Sequence, residues 1–277
     1  MPAAHPHVQV SRPAEALAAP RPDRWVLTAV EFDVLWEWLR LGATPVVLRM
    51  DSPGHTSAAR TGLVGRGWQA LRERGLADAS GPDPELVRLL NLLARPAAQL
   101  ELRMWRGHSM RAVTAGQRNS RALAVRQDET VTVSACTGLA SALIDVLPPV
   151  PAGPGPAVTV PSAVAEAAAQ RHAEPTSQLD NLTTLDAGVL GRMLRGLNGG
   201  AHRAQIAALA ADRSGMLRRL PKIVGVLDTA AGRYQLTKTT AADGAEWITL
   251  APADGLQLRQ RTAALLAEAG DAAAGAS

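Results

Sequence analysis

The residues with the clearest chemical potential lie in "LRMWRGHSMRAV", Leu102 to Val113. Its centre, Gly107-His108-Ser109, matches the start of a Gly-x-Ser-x-Gly nucleophile elbow. In such an elbow a strand runs into a strained turn that carries the serine, and a helix follows. Here the fifth position is Arg111, and the residues after Ser109, "MRAVTAG", alternate as a strand does. Leu102, Met104, Met110 and Val113 are spaced as a hairpin would space them. The stretch therefore reads as a hairpin tip, Trp105, Arg106, Gly107, His108, Ser109 and Met110, and Trp, Arg and Met are residue types enriched at protein interfaces. The alternative is a hydrolase-like enzyme or small-ligand-binding protein with Gly107-His108-Ser109 at its active site.

Other reactive groupings are weaker. "GRGWQA", Gly65 to Ala70, fits Gly-x-Gly-x-x-Ala, but a dinucleotide loop must follow a strand directly, and the nearest expected strand ends at Met50. His55, His108, His172 and His202 have no partner at metal-ligand spacing, although Asp51 lies near His55. Asp228, Asp243 and Asp254 fall at turns and helix starts, where aspartate caps backbone N–H groups. The single cysteine, Cys136, sits in the alternating run "TVTVSAC" and reads as a small core residue. No catalytic residue, cofactor or metal is expected.

Composition narrows the class further. Of 277 residues, 47% are hydrophobic and 19% charged, enough apolar material for a sizeable core. The net charge is +4, and all basic residues except Lys222 and Lys238 are Arg. They are scattered among acids rather than gathered in a stripe, and aromatics make up only 3%. Both features argue against a nucleic-acid binder. One cysteine and no long apolar run suit a cytoplasmic chain without membrane insertion. Residues 1–23 and 269–277 read as disordered ends.

The elements that would position the hairpin follow from periodicity. "VEFDVLWEWLRLG" is helical; "TPVVLRM" reads as a buried strand; "TSAARTGLVGRGWQALRERGL" and "PDPELVRLLNLLARP" are helices. In the last, Asp83 is the expected N-cap, Pro84 the first helical residue, and Leu86, Leu89, Leu90 and Leu93 the buried face. After Pro96 come four antiparallel strands with short turns, then the helix "GLASALIDVL". A Pro/Gly linker, residues 148–156, precedes a second round: strand "AVTV", helices "SAVAEAAAQRH" and "LDAGVLGRMLRGL", four strands, and a closing helix. The expected fold is α+β: a pseudo-twofold duplicated unit, 24–150 and 151–268, whose central antiparallel sheet is flanked by helical bundles.

Several segments together resemble the EspG family of type VII (ESX) secretion chaperones: "VEFDVLWEWLRLGATPVVLRM", "DPELVRLLNLLARPAAQLELRMW", "AVTVP", and "VGVLDTAAGRYQL" followed by "WITLAPADGLQLRQRTAALL". The resemblance spans roughly residues 26–268. It implies a non-enzymatic cytosolic protein that binds the helical tip of the PPE subunit in a PE/PPE heterodimer and delivers the pair to the export machinery. It also implies contact through a loop between sheet strands and through a C-terminal helical bundle. Those regions correspond to the Trp105–Met110 tip and to Val189, Leu190, Met193, Leu194 and Leu197. A homo-oligomer that turns the apolar hairpin on itself is a third reading.

Overall fold

The computed structural model describes residues 23–50, 57–165 and 202–275. The expected helix "LDAGVLGRMLRGL", with Val189, Leu190, Met193, Leu194 and Leu197, lies outside the described residues, as do 1–22 and most of "SAVAEAAAQRH". The chain opens with strand β1 (Arg24–Thr28) and helix α1 (Ala29–Trp38), followed by a 3-10 turn, Val46–Leu48. Helices α2 (Ser57–Glu73) and α3 (Pro84–Ala94) come next. The meander is β2 (Ala98–Arg106), β3 (His108–Gln117), β4 (Ser120–Gln127) and β5 (Thr130–Ala135), closed by helix α4 (Leu139–Ile144). The second round is β6 (Val158–Pro161), β7 (His202–Ala211), β8 (Leu217–Thr229), β9 (Gly232–Thr240), β10 (Glu246–Pro252) and helix α5 (Gly255–Gly275).

The ten strands among the described residues form one antiparallel sheet in the order β1-β5-β4-β3-β2-β7-β8-β9-β10-β6. Each set of five repeats the other outward from the β2–β7 seam, so the expected fold class stands. The seam pairs Ala98 with Ala210 through to Trp105 with Arg203.

Side-chain alternation sorts the sheet into two faces. On one face, α1, α3 and the 3-10 turn cover Val113, Ala115, Ala122, Ala124, Val131 and Val133. On the other, α4 and α5 pack over Leu100, Leu102, Ala112, Ile206 and Val224. Asp83 caps α3 as expected, accepting from the N–H groups of Glu85 and Leu86 at 2.8 and 3.0 Å. Leu86, Leu89, Leu90 and Leu93 are all fully buried beneath it.

Three expectations are corrected. "TPVVLRM" is a 3-10 turn rather than a strand; Val47 and Leu48 plug the core from above the sheet, so the run is apolar without pairing. The closing helix continues to Gly275, past the expected end at residue 268, because Ala269 and Ala273 extend its buried stripe. The 148–156 segment is not a loose tether. The backbone N–H of Arg233 donates to the Pro151 carbonyl (2.7 Å), the Gly153 N–H to the Arg233 carbonyl (2.9 Å), and the Tyr234 hydroxyl to the Pro154 carbonyl (3.1 Å).

Candidate protein-docking hairpin

The β2–β3 hairpin is closed by Gly107, with Arg106 opposite His108, Trp105 opposite Ser109 and Met104 opposite Met110. Gly107 has φ +73°, the left-handed region that a side chain enters at a cost, and no atom crowds its Cα. Alternation then decides what the tip offers. Trp105 is 59% exposed, and His108 and Ser109 are exposed beside it.

Met110 differs from the expectation. It is 8% exposed and joins Met104 in the core under α4 and α5. The reason is register: Met110 is an odd step from Ser109, so it turns to the opposite face of the sheet. It is therefore a support of the hairpin and not part of its outer surface.

The enzyme alternative meets the wrong local geometry. Ser109 stands on a strand that follows a one-glycine turn, and the next element is strand β4, not a helix. The His108 ring lies 3.2 Å (Nε2) from the side-chain nitrogen of Gln127. The small-ligand alternative has a nearby concavity to consider. A cleft of about 340 Å³ is lined by Asp145, Pro148, Arg233 and Arg259, among others. Its polar groups are already committed: Arg259 to Asp145 (2.5 Å), and Arg233 to Asp228 and the Pro148 carbonyl. Among the described residues no group of three His, Cys, Asp or Glu could hold a metal ion. No described helix is long and apolar enough to cross a membrane.

Sequence reasoning missed a charge feature on the Trp105 face. Arg103 is directly opposite Arg111, and Arg111 is directly opposite Arg126, across β2, β3 and β4. Arg203 lies opposite Trp105 on β7. The composition showed scattered arginines because the three lie 8 and 15 residues apart in sequence; only strand register brings them into a row.

A protein with this architecture is an all-antiparallel, duplicated α+β scaffold with an exposed aromatic hairpin. The chain belongs to the EspG family: the family's sequence model matches residues 28–264. Among solved structures it is similar to the Mycobacterium tuberculosis type VII secretion system chaperone EspG5, determined in complex with the PE25-PPE41 dimer. That match has a TM-score of 0.65 at 15% identity and covers 88% of this chain and 95% of that one. A comparison with curated proteins finds no significant match.

Proposed function

We propose that this chain is a non-enzymatic cytosolic chaperone of a type VII (ESX) secretion system. It holds the tip of a PE/PPE-type heterodimer, keeps the pair from aggregating, and presents it for export. The carrying observation is the exposed Trp105 hairpin on a chain of the EspG family whose fold is that of EspG5, itself solved with PE25-PPE41. An apolar client tip in water aggregates unless a matching surface covers it. A standard specific interface removes about 800 Å² per partner, and a Trp at its centre is the residue type that most often dominates such energies.

In this reading the client surface comprises Trp105, Arg106, Gly107, His108 and Ser109, with Met110 bracing the tip from behind. Val189, Leu190, Met193, Leu194 and Leu197, outside the described residues, are the proposed second part. Binding and release need no bond-making step, since the export machinery can compete for the client.

Co-expression with the cognate PE/PPE pair tests this. The expected result is a larger soluble yield of the pair and a one-to-one-to-one complex on size exclusion. Separate elution of chaperone and client at micromolar concentration overturns it.

A further inference from the structure

Helix α1 ends on an aromatic side chain that the core does not use. Trp36 turns inward, and its indole N–H donates to the Gly42 carbonyl at 2.9 Å, whereas Trp38 is 51% exposed. The Trp38 ring meets the half-buried Trp68 of α2 edge-on, with centroids 5.5 Å apart and planes at 75°. Gly81 flanks Trp38: a Cβ there would stand 3.6 Å from the ring. The exposed Arg72 guanidinium stands 6.0 Å from the Trp68 centroid. Rings set edge-on leave a notch between them. Its polar groups are unspent: neither indole N–H has a hydrogen-bond partner among the described residues, and Arg72 has no carboxylate partner there.

We propose that the Trp38–Trp68 notch seats the chain's own proline-rich segment, residues 1–22, in polyproline II form. The segment carries Pro2, Pro6, Pro13, Pro20 and Pro22. A polyproline II strand has no internal hydrogen bonds, so it presents proline rings and unpaired carbonyls. The two indoles offer the complement, an apolar notch and two N–H donors, and aromatic-lined grooves take proline-rich segments in this way. Glu15, the single acid among residues 1–22, supplies a carboxylate for Arg72.

Placement argues for this occupant. Arg95 Nη2 donates at 3.4 Å to the carbonyl of Arg40, two residues past Trp38, and the Ala97 N–H donates to the Gly116 carbonyl at 2.9 Å. Helix α1 therefore ends over the Ala98–Gly116 end of the sheet. Strand β1 begins at that same end: Arg24 pairs with Ser134, and the Cys136 N–H donates to the carbonyl of Arg121, which stands opposite Gly116. Three strand spacings separate β1 from β3, about 14 Å, and polyproline II advances about 3.1 Å per residue. Pro13, ten residues before Asp23, thus reaches the notch with chain to spare. Tethering at this length gives an effective concentration on the order of millimolar, so even weak seating is occupied. Trp105 lies at the far end of β2, so the notch is separate from the proposed client surface and does not depend on that reading.

Photo-cross-linking in the full chain tests the seat. With p-benzoylphenylalanine in place of Ala14, irradiation of the monomer should link position 14 to peptides that contain Trp38 or Trp68, located by mass spectrometry. The yield of those links should fall at least about fivefold in Trp38→Ala and in Pro13→Ala/Pro20→Ala/Pro22→Ala, since the first removes a wall of the notch and the second the preformed strand. The proline variant changes only residues ahead of β1, so it reads the seat even if Trp38→Ala folds poorly. Links scattered over the surface, or a yield that the proline variant leaves unchanged, overturn the proposal. Covalent dimers linked through the notch also overturn it, by giving the notch to a second copy of the chain.

Discussion

The guanidinium of Arg233 is clamped on the carboxylate of Asp228, Nε to Oδ1 at 2.5 Å and Nη2 to Oδ2 at 2.8 Å, with both residues buried. The same Nη2 donates to the Pro148 carbonyl at 2.8 Å, and the Arg233 backbone is bonded on either side to Pro151 and Gly153. One residue thus fastens the segment joining the two halves to the hairpin of β8 and β9.

Removing the arginine leaves a buried carboxylate and an unfastened strap. Arg233→Ala should cost about 3–5 kcal/mol in chemical denaturation, the usual penalty for breaking a buried pair from one side. The double variant Arg233→Met/Asp228→Leu should recover most of that loss. A single-variant cost below about 1 kcal/mol would show that the strap holds without the pair.

Close approach is the second property of the strap. A Cβ built on Gly153 would sit 2.1 Å from Cζ of Tyr234. Gly153→Ala should therefore destabilise by about 1–3 kcal/mol through overpacking, and Tyr234→Leu in the same chain should return part of it. Equal stability of Gly153→Ala and wild type in thermal melts would contradict this contact.

Opposite faces of the hairpin should separate folding from capture. Met110→Ala should lose about 2–4 kcal/mol of stability, as large-to-small core changes do. Trp105→Ala, exposed, should stay within about 0.5 kcal/mol of wild type yet weaken client binding at least about tenfold. Calorimetric melts and titration with the heterodimer check both. Undiminished capture by Trp105→Ala removes the hairpin from the client surface.

Cys136 should be a slow thiol. Burial pushes its pKa above the ordinary cysteine value, with the Arg121 charge offsetting part of that shift. A raised pKa means less thiolate at neutral pH, so iodoacetamide should modify Cys136 several-fold (about 3–10-fold) more slowly than glutathione at pH 7.5, and the rate should still be climbing at pH 9. Mass spectrometry of quenched samples reads this directly, and modification as fast as glutathione contradicts it.

The edge strand β1 is guarded by Glu31, which is 2% exposed. Its carboxylate accepts from the Thr28 N–H (2.7 Å) and from Arg74 Nη1 (2.6 Å), while Arg74 Nη2 donates to the Val26 carbonyl (2.7 Å). Glu31→Ala should cost about 2–4 kcal/mol, since it removes a capping box and strands a guanidinium. It should also loosen the Arg74 cover on the Val26 carbonyl and open that edge to strand addition, seen as concentration-dependent association in light scattering. A stable, monomeric variant would refute the guard.

Periodicity made the meander legible. Period-two runs between Pro96 and Ala135 could only be strands, and turns of one or two residues at Gly107, Arg118-Asn119 and Asp128-Glu129 forced antiparallel neighbours. Asp83-Pro84 announced α3 through capping chemistry. By contrast, β1 escaped notice because "RWVLT" adds only five residues ahead of a helical pattern. Strand β8 runs from Leu217 across Pro221, although a proline argues against a strand; its missing N–H falls where the β7 register slips between Ala207 and Leu209. The β2–β3 hairpin was located from sequence, but the inward turn of Met110 and the arginine row depend on which residues stand opposite one another. No local pattern carries that information.

The β2–β7 seam has a consequence for biosynthesis. Strand β2 must wait for β7, which is made roughly 100 residues later. At about 5–20 residues per second, that leaves the long inner edge of the nascent first half bare for on the order of 5–20 s. A chain proposed to guard others from clumping therefore passes through its own vulnerable interval on the ribosome, and it ends when the second half zips onto the first.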